Sequence, residues 1–169
     1  MKRIIILLIG LCMILSFIPF PASADQTSDT FNITVTGEFL WIDITTDTWA
    51  LGVVSMGSSH WTNETGETFM ADMDATSVNT DLKLQITSDA ADWSAATSGN
   101  GPSTDIYRLN ASVDDWSTEN QIVTASATTI STNIPAGQDE TFDLRFDAPT
   151  ATSTGAQQSI TVTASLVKS

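Results

Sequence analysis

The chain has 169 residues, with 20 acidic and six basic side chains, one histidine, one cysteine and a formal net charge of −14. So acidic a composition excludes nucleic acid and anionic lipid as partners, because both are bound through clustered Lys and Arg that displace counterions. A single cysteine excludes an intramolecular disulfide framework and a thiolate metal site.

Lys2 and Arg3 precede an uncharged apolar run from residue 4 to about 17, and Ala22-Ser23-Ala24 places small residues at −3 and −1 of a cleavage point before Asp25. The run is shorter than the roughly 20 residues that span a bilayer, and helix-breaking Pro19 and Pro21 follow it. The expectation is a cleavable signal peptide over 1–24 and one secreted domain over 25–169. Cys12 lies inside the apolar run behind bulky Leu11, which does not fit a lipoprotein site, and it leaves with the leader. Cleavage removes Lys2 and Arg3 but no acid, so 145 residues with a formal charge of −16 remain. A chain of that length buries about 70% of its unfolded surface, enough for a core without disulfides.

Beyond residue 24 the dominant signal is period-two alternation in short runs rich in Thr, Val, Ile and aromatics. Phe31, Ile33 and Val35 alternate with Asn32, Thr34 and Thr36, which predicts a strand over 31–36. Weaker runs follow at 39–45, 49–54 and 68–73. Leu82, Leu84 and Ile86 alternate with Asp81, Lys83 and Gln85, and further runs lie at 106–113, 121–125 and 128–134. The two clearest come last: Phe142, Leu144 and Phe146 against Asp143, Arg145 and Asp147, then Ile160, Val162, Ala164 and Leu166 against Thr161, Thr163 and Ser165. Turn clusters separate them at 57–59, 63–66, 98–102, 135–137 and 153–155. No stretch of twelve residues carries a helical stripe. Short strands that are apolar on one side need a second sheet to cover that side, so the expected fold is all-β, an antiparallel sandwich.

The run Trp49-Ala50-Leu51-Gly52-Val53-Val54-Ser55-Met56-Gly57-Ser58-Ser59, followed by Val78-Asn79-Thr80-Asp81-Leu82-Lys83-Leu84-Gln85-Ile86, resembles the strand, Gly-turn, strand pattern of prokaryotic cell-surface domains with an immunoglobulin-like sandwich. The C-terminal part is similar, with Pro135 to Gly137 leading into Phe142 to Phe146, then Ala148-Pro149 and a last strand after a Ser/Thr/Gly loop. The resemblance implies an immunoglobulin-like β-sandwich serving as a non-enzymatic module of adhesins, surface layers or secreted enzymes.

Chemistry-bearing residues are sparse. His60 is the lone histidine and sits in a polar stretch, Ser58-Ser59-His60-Trp61-Thr62, with no G-x-S-x-G or H-E-x-x-H motif anywhere. No catalytic residues and no enzyme are expected. Asp72, Asp74 and Thr76 at alternate positions, with Asp89, Asp92, Asp114 and Asp115 in expected loops, offer hard oxygen ligands. No cofactor is expected, since ordinary solvated acids account for these residues; the alternative is calcium at Asp72, Asp74, Asp114 and Asp115, although the glycine and distal glutamate of an EF-hand loop are absent. Trp61, Trp93 and Trp116 fall in polar loops, where each either plugs an end of the core, as loop tryptophans in sandwiches often do, or points outward and offers a flat aromatic face that would stack on sugars; Trp49 has core parity, and Trp41 sits on the opposite parity to Leu40 and Ile42. Three N-x-[ST] triplets, at Asn32, Asn63 and Asn110, speak only for a polar surface.

The expected role is a secreted structural or adhesive module at the cell surface, with protein or glycan partners and self-association through edge strands such as 31–36. A carbohydrate-binding module using the loop tryptophans, with calcium, is the alternative.

Overall fold

The computed structural model of the chain describes residues 32–169, of which Gly37–Ser169 form one compact unit. The expected signal peptide over 1–24, and Phe31 of the first expected strand, lie outside the described residues. Residues 32–36 contain neither strand nor helix, and Ile33 and Val35 are 76% and 82% exposed, so the strand expected at 31–36 is not formed there. The physical reason is that alternation alone does not make a strand; a neighbouring backbone must take up its hydrogen bonds.

The central strand of the smaller sheet shows how the pattern works where a neighbour exists. In β4 (Thr80–Ser88), Thr80, Leu82, Leu84 and Ile86 are at most 1% exposed while Asp81, Lys83 and Gln85 are half-buried. That is the period of two expected of a strand with one dry face. It pairs antiparallel with β10 (Thr161–Lys168) on one side and β8 (Thr128–Ile134) on the other, completing a three-stranded sheet.

The larger sheet has seven strands. Its main path runs β1 (Asp43–Ile44), β3 (Phe69–Asp72), β9 (Glu140–Asp147), β6 (Ile106–Ser112) and β5 (Ser94–Ala95). Off that path, β2 (Ser59–Trp61) continues along β9 beyond β3, and β7 (Asn120–Ile122) pairs with β6. All pairings are antiparallel except β5 with β6. Phe69, Phe142, Leu144, Phe146, Tyr107, Leu109 and Ile122 from this sheet meet Leu82, Leu84, Ile86, Ile130 and Ile134 from the other in one hydrophobic core. Each such side chain contributes about 1.5–3 kcal/mol on burial. The expected all-β, two-sheet architecture is thus present. The strand order has its own arrangement: an immunoglobulin domain sets its last strand beside the penultimate one, whereas β10 lies beside β4, and β9 is flanked by β3 and β6.

Several expected elements change. Of 39–45 only Asp43–Ile44 is strand, and 49–54 is irregular, with Trp49, Leu51 and Val54 packed on the core and Val53 fully exposed. Conversely, 59–61, read as turn and loop, is β2. One turn of helix, α1 (Thr62–Thr65), follows and ends at Gly66 in the left-handed region with φ 75°. Thr62 explains why the pairing with β9 carries on past Trp61. Its hydroxyl accepts from the Leu144 N–H at 2.9 Å and donates to Asp143 Oδ1 at 2.9 Å, replacing a ladder bond with side-chain ones.

The loop between β4 and β5 is clasped from below. Tyr107, fully buried, donates its hydroxyl to Asp89 Oδ1 at 2.6 Å, and Asp89 Oδ2 accepts the Ala95 N–H at 3.0 Å. Burial, then donation to Asp89 and the charge of that carboxylate, push the Tyr107 hydroxyl well above the ordinary tyrosine range. Tyr107→Phe is expected to lower the unfolding free energy by about 1.5–3 kcal/mol, the range for a hydrogen bond to a charged group. Urea denaturation checks this, and an unchanged midpoint would show that the clasp contributes nothing.

Candidate functional site

The outer face of the larger sheet carries the densest polar construction. In the register of β2, β9 and β6, Ser59 and Arg108 lie opposite Asp147, and Trp61 and Asn110 lie opposite Arg145, so these side chains share one face. Asp147 is only 4% exposed although it points away from the core, because the two arginines cover it. Arg108 Nε and its Nη2 lie 2.8 and 2.7 Å from Asp147 Oδ2, and Ser59 Oγ donates to Oδ1 at 2.6 Å. Arg145 adds Nη2 at 3.3 Å and Nε at 3.2 Å, the latter close enough to attract but poorly aimed for a hydrogen bond. Burial pushes the Asp147 pKa up, but the Ser59 and Arg108 hydrogen bonds and the two guanidinium charges outweigh it and leave the carboxyl below its ordinary value. Arg145 continues to Glu119, which accepts from Asn110 Nδ2 at 3.0 Å.

Trp116 closes this face. Asp115 and Trp116 both adopt the left-handed region, φ 53° and 65°, an uncommon conformation for residues other than Gly, Asn and Asp. Ser112 Oγ, accepting from the Trp116 N–H at 3.0 Å, holds the turn. The guanidinium of Arg145 lies 6.0 Å from the centre of the indole, within cation–π range. Trp61 and Trp116 are therefore both neighbours of Arg145, and both are half-buried.

Trp93 is not in this group. It is 9% exposed, stacks on Phe146 at 6.4 Å, and donates Nε1 to Thr152 Oγ1 at 2.8 Å. Of the two readings open to a loop tryptophan, Trp93 takes the core one, its side chain plugging the end of the sandwich, and it is not available as a ligand-binding face. Trp49 packs against the core, although 49–54 forms no strand and Val53, of the same parity, is fully exposed; Trp41 is 37% exposed.

The acids expected to bind calcium divide. Asp72 and Asp74 come together with Asp139, a residue the sequence reading did not select, their carboxylate oxygens all lying within 4.8 Å of one another. Gly137, at φ 67°, takes the left-handed position in the turn from Pro135 to Gln138 that leads into Asp139, and its backbone packs beside the Asp74 carbonyl. Asp139 Oδ1 accepts the Met73 N–H at 2.9 Å, which fixes one carboxylate of the three. Three such oxygens are a fitting partial shell for a hard cation. Asp114 and Asp115 are not members. Asp114 accepts from Thr118 N at 2.9 Å and Ser112 Oγ at 2.8 Å, and hydrogen bonds from Thr118 first, then Ser112, hold its carboxyl below the ordinary value. Asp89 is occupied by the Tyr107 clasp.

His60 has a hydroxyl beside it: Ser58 Oγ lies 2.8 Å from its Nε2. That hydroxyl, however, donates its single proton to the Ser55 carbonyl at 2.6 Å. Which atom donates in the Ser58–His60 pair follows the tautomer of the ring; with the hydroxyl proton on the Ser55 carbonyl it is Nε2, the reverse of what a base activating a nucleophile requires. No carboxylate hydrogen-bonds the ring among the described residues.

The two free strand edges complete the inventory. Among the described residues β10 and β8 each pair only with β4, so both present an open edge. No family model matches the chain, and neither does any curated protein or solved structure.

Proposed function

We propose that the chain is an exported, non-enzymatic β-sandwich module that builds or decorates the cell surface through contacts with protein partners, its own copies among them. The observation that carries this reading is the combination of an open strand edge on the smaller sheet with a strand-like segment, 32–36, whose apolar side chains are exposed. Together they are the two halves of a β-augmentation contact. A leader-like sequence over 1–24 and a charge of −16 on the remainder fit a protein that works in contact with bulk solvent. On this reading the architecture is a variant of the immunoglobulin-like sandwich in which the last strand lies beside β4.

The non-enzymatic part of the reading is supported by the surroundings of the lone histidine, His60, whose ring has the Ser58 hydroxyl beside it but no carboxylate hydrogen-bonded to it among the described residues. Sugar binding has less behind it, because Trp93 is occupied in the core and only Trp61 and Trp116 share a face. Fractionation of the producing cells, with N-terminal sequencing of the recovered chain, tests the export claim. The chain should be found outside the cytoplasm, begin at Asp25, and be cut by protease added to intact cells. A chain retained inside with Met1 in place contradicts it.

A further inference from the structure

The core is incompletely covered along β10. Its inward residues Val162, Ala164 and Leu166 are half-buried, whereas their partners Ile86, Leu84 and Leu82 on β4 are at most 1% exposed. The missing cover is on the outer side of β10, where no strand pairs among the described residues. Proteins ordinarily blunt such edges with bulges, prolines or charges. β8 follows that rule, with two register shifts against β4, Asn133 at φ 55° and Pro135 directly after it. β10 does not: it runs for eight residues with one irregularity at its start, and its only charged residue, Lys168, is at its end and ion-paired with Glu38.

The counterpart is residues 32–36, Asn-Ile-Thr-Val-Thr, which alternate β-branched apolar side chains with polar ones. Ile33 and Val35 are 76% and 82% exposed, although burying each would contribute about 1.5–3 kcal/mol. Charge placement agrees. In a chain with 20 acidic residues, 30–37 contain no charged side chain, and from Ala148 to Ser169 the single charged one is Lys168. These two stretches can approach without the repulsion that separates the rest of two such acidic surfaces.

We propose that residues 32–36 of one copy add as a strand to the outer edge of β10 in a second copy; the proposal rests on the surface-module reading. Five residues at about 3.3 Å each span about 17 Å, enough to follow the 162–166 stretch of β10. Ile33 and Val35 then extend the apolar row of Val162, Ala164 and Leu166, and Thr34 and Thr36 face outward. Every copy has one donor segment and one acceptor edge, so the contact is head-to-tail and propagates into open chains unless its rotation closes a ring.

The test uses the chain recovered after export, alone and with the double variant Ile33→Asp/Val35→Asp. Both positions are exposed, so the variant should keep the wild-type melting curve. Light scattering is expected to show a concentration-dependent series of multiples for the wild type and monomer alone for the variant. Because the variant keeps its acceptor edge, adding it in tenfold excess should cap wild-type chains and bring their mean mass down towards that of short oligomers. A variant that assembles like the wild type overturns this docking while leaving the surface-module reading in place. A monomeric wild type whose Ile33 and Val35 amides are protected from exchange assigns the segment to its own chain's β10 and equally overturns it. Failure of the reading itself is a separate result, a chain that never leaves the cell.

Discussion

Phe146→Ala is expected to cost about 3–5 kcal/mol of folding free energy, the range for removing a buried aromatic from a core that cannot close over the void. Phe146 is 5% exposed and stacks on Tyr107 at 5.6 Å and on Trp93 at 6.4 Å. It therefore joins β9 to β6 and to the segment that carries Trp93. Loss of that ring leaves two further aromatics without a face to pack on. Against a typical total of about 5–15 kcal/mol, the change takes the domain close to unfolding. Urea titration followed by tryptophan fluorescence reads it directly. A loss under about 1 kcal/mol would mean that the two sheets do not share the core described.

Asp147→Asn is expected to destabilise by about 3 kcal/mol. The side chain is buried and faces donors from Ser59, Arg108 and Arg145, so the substitution replaces a carboxylate oxygen by a donor group and leaves two guanidinium charges without their counter-charge. Breaking a buried pair in this way usually costs about 3–5 kcal/mol; the low end applies because the Arg108 side chain stays 31% exposed. The same residue sets a pH dependence. Its folded-state pKa lies below its unfolded one, so the folded state holds fewer protons in the acid range. The stabilisation is complete above the unfolded value of about 3.9 and disappears as pH falls through the depressed folded value. The variant should accordingly lose less stability than the wild type between pH 5 and the acid limit. Parallel acid titrations of the two proteins, with equal slopes, would remove Asp147 from this role.

The sequence was legible where alternation coincided with a partner strand. Leu82, Leu84 and Ile86, and Phe142, Leu144 and Phe146, could be assigned to the core from parity alone, because a strand between two neighbours has one dry face and one wet one. Ser59 to Trp61 could not, since a strand of three polar or aromatic residues carries no period, and its existence depends on a register with β9 that lies more than 80 residues away. Residues 32–36 and 49–54 failed in the opposite direction: they have the composition of strands but pair with no strand among the described residues. The site residues follow the same division. Asp72 and Asp74 are neighbours in sequence and could be paired on spacing, whereas Asp139 reaches them only through the turn at Gly137. Arg145 and Asp147 read as ordinary wet-face residues, and only the β6–β9 register shows that Arg108 joins them and that the three bury one another. Trp93 could be placed in a loop but not inward or outward, because loop composition carries no information about where one large side chain turns.

Sedimentation velocity of residues 25–169 across a hundredfold range of concentration tests the central proposal most directly, that this is a surface module which associates through its strand edge. The account predicts boundaries that move to larger, regularly spaced species as concentration rises and revert on dilution. A single monomeric boundary throughout that range would contradict it.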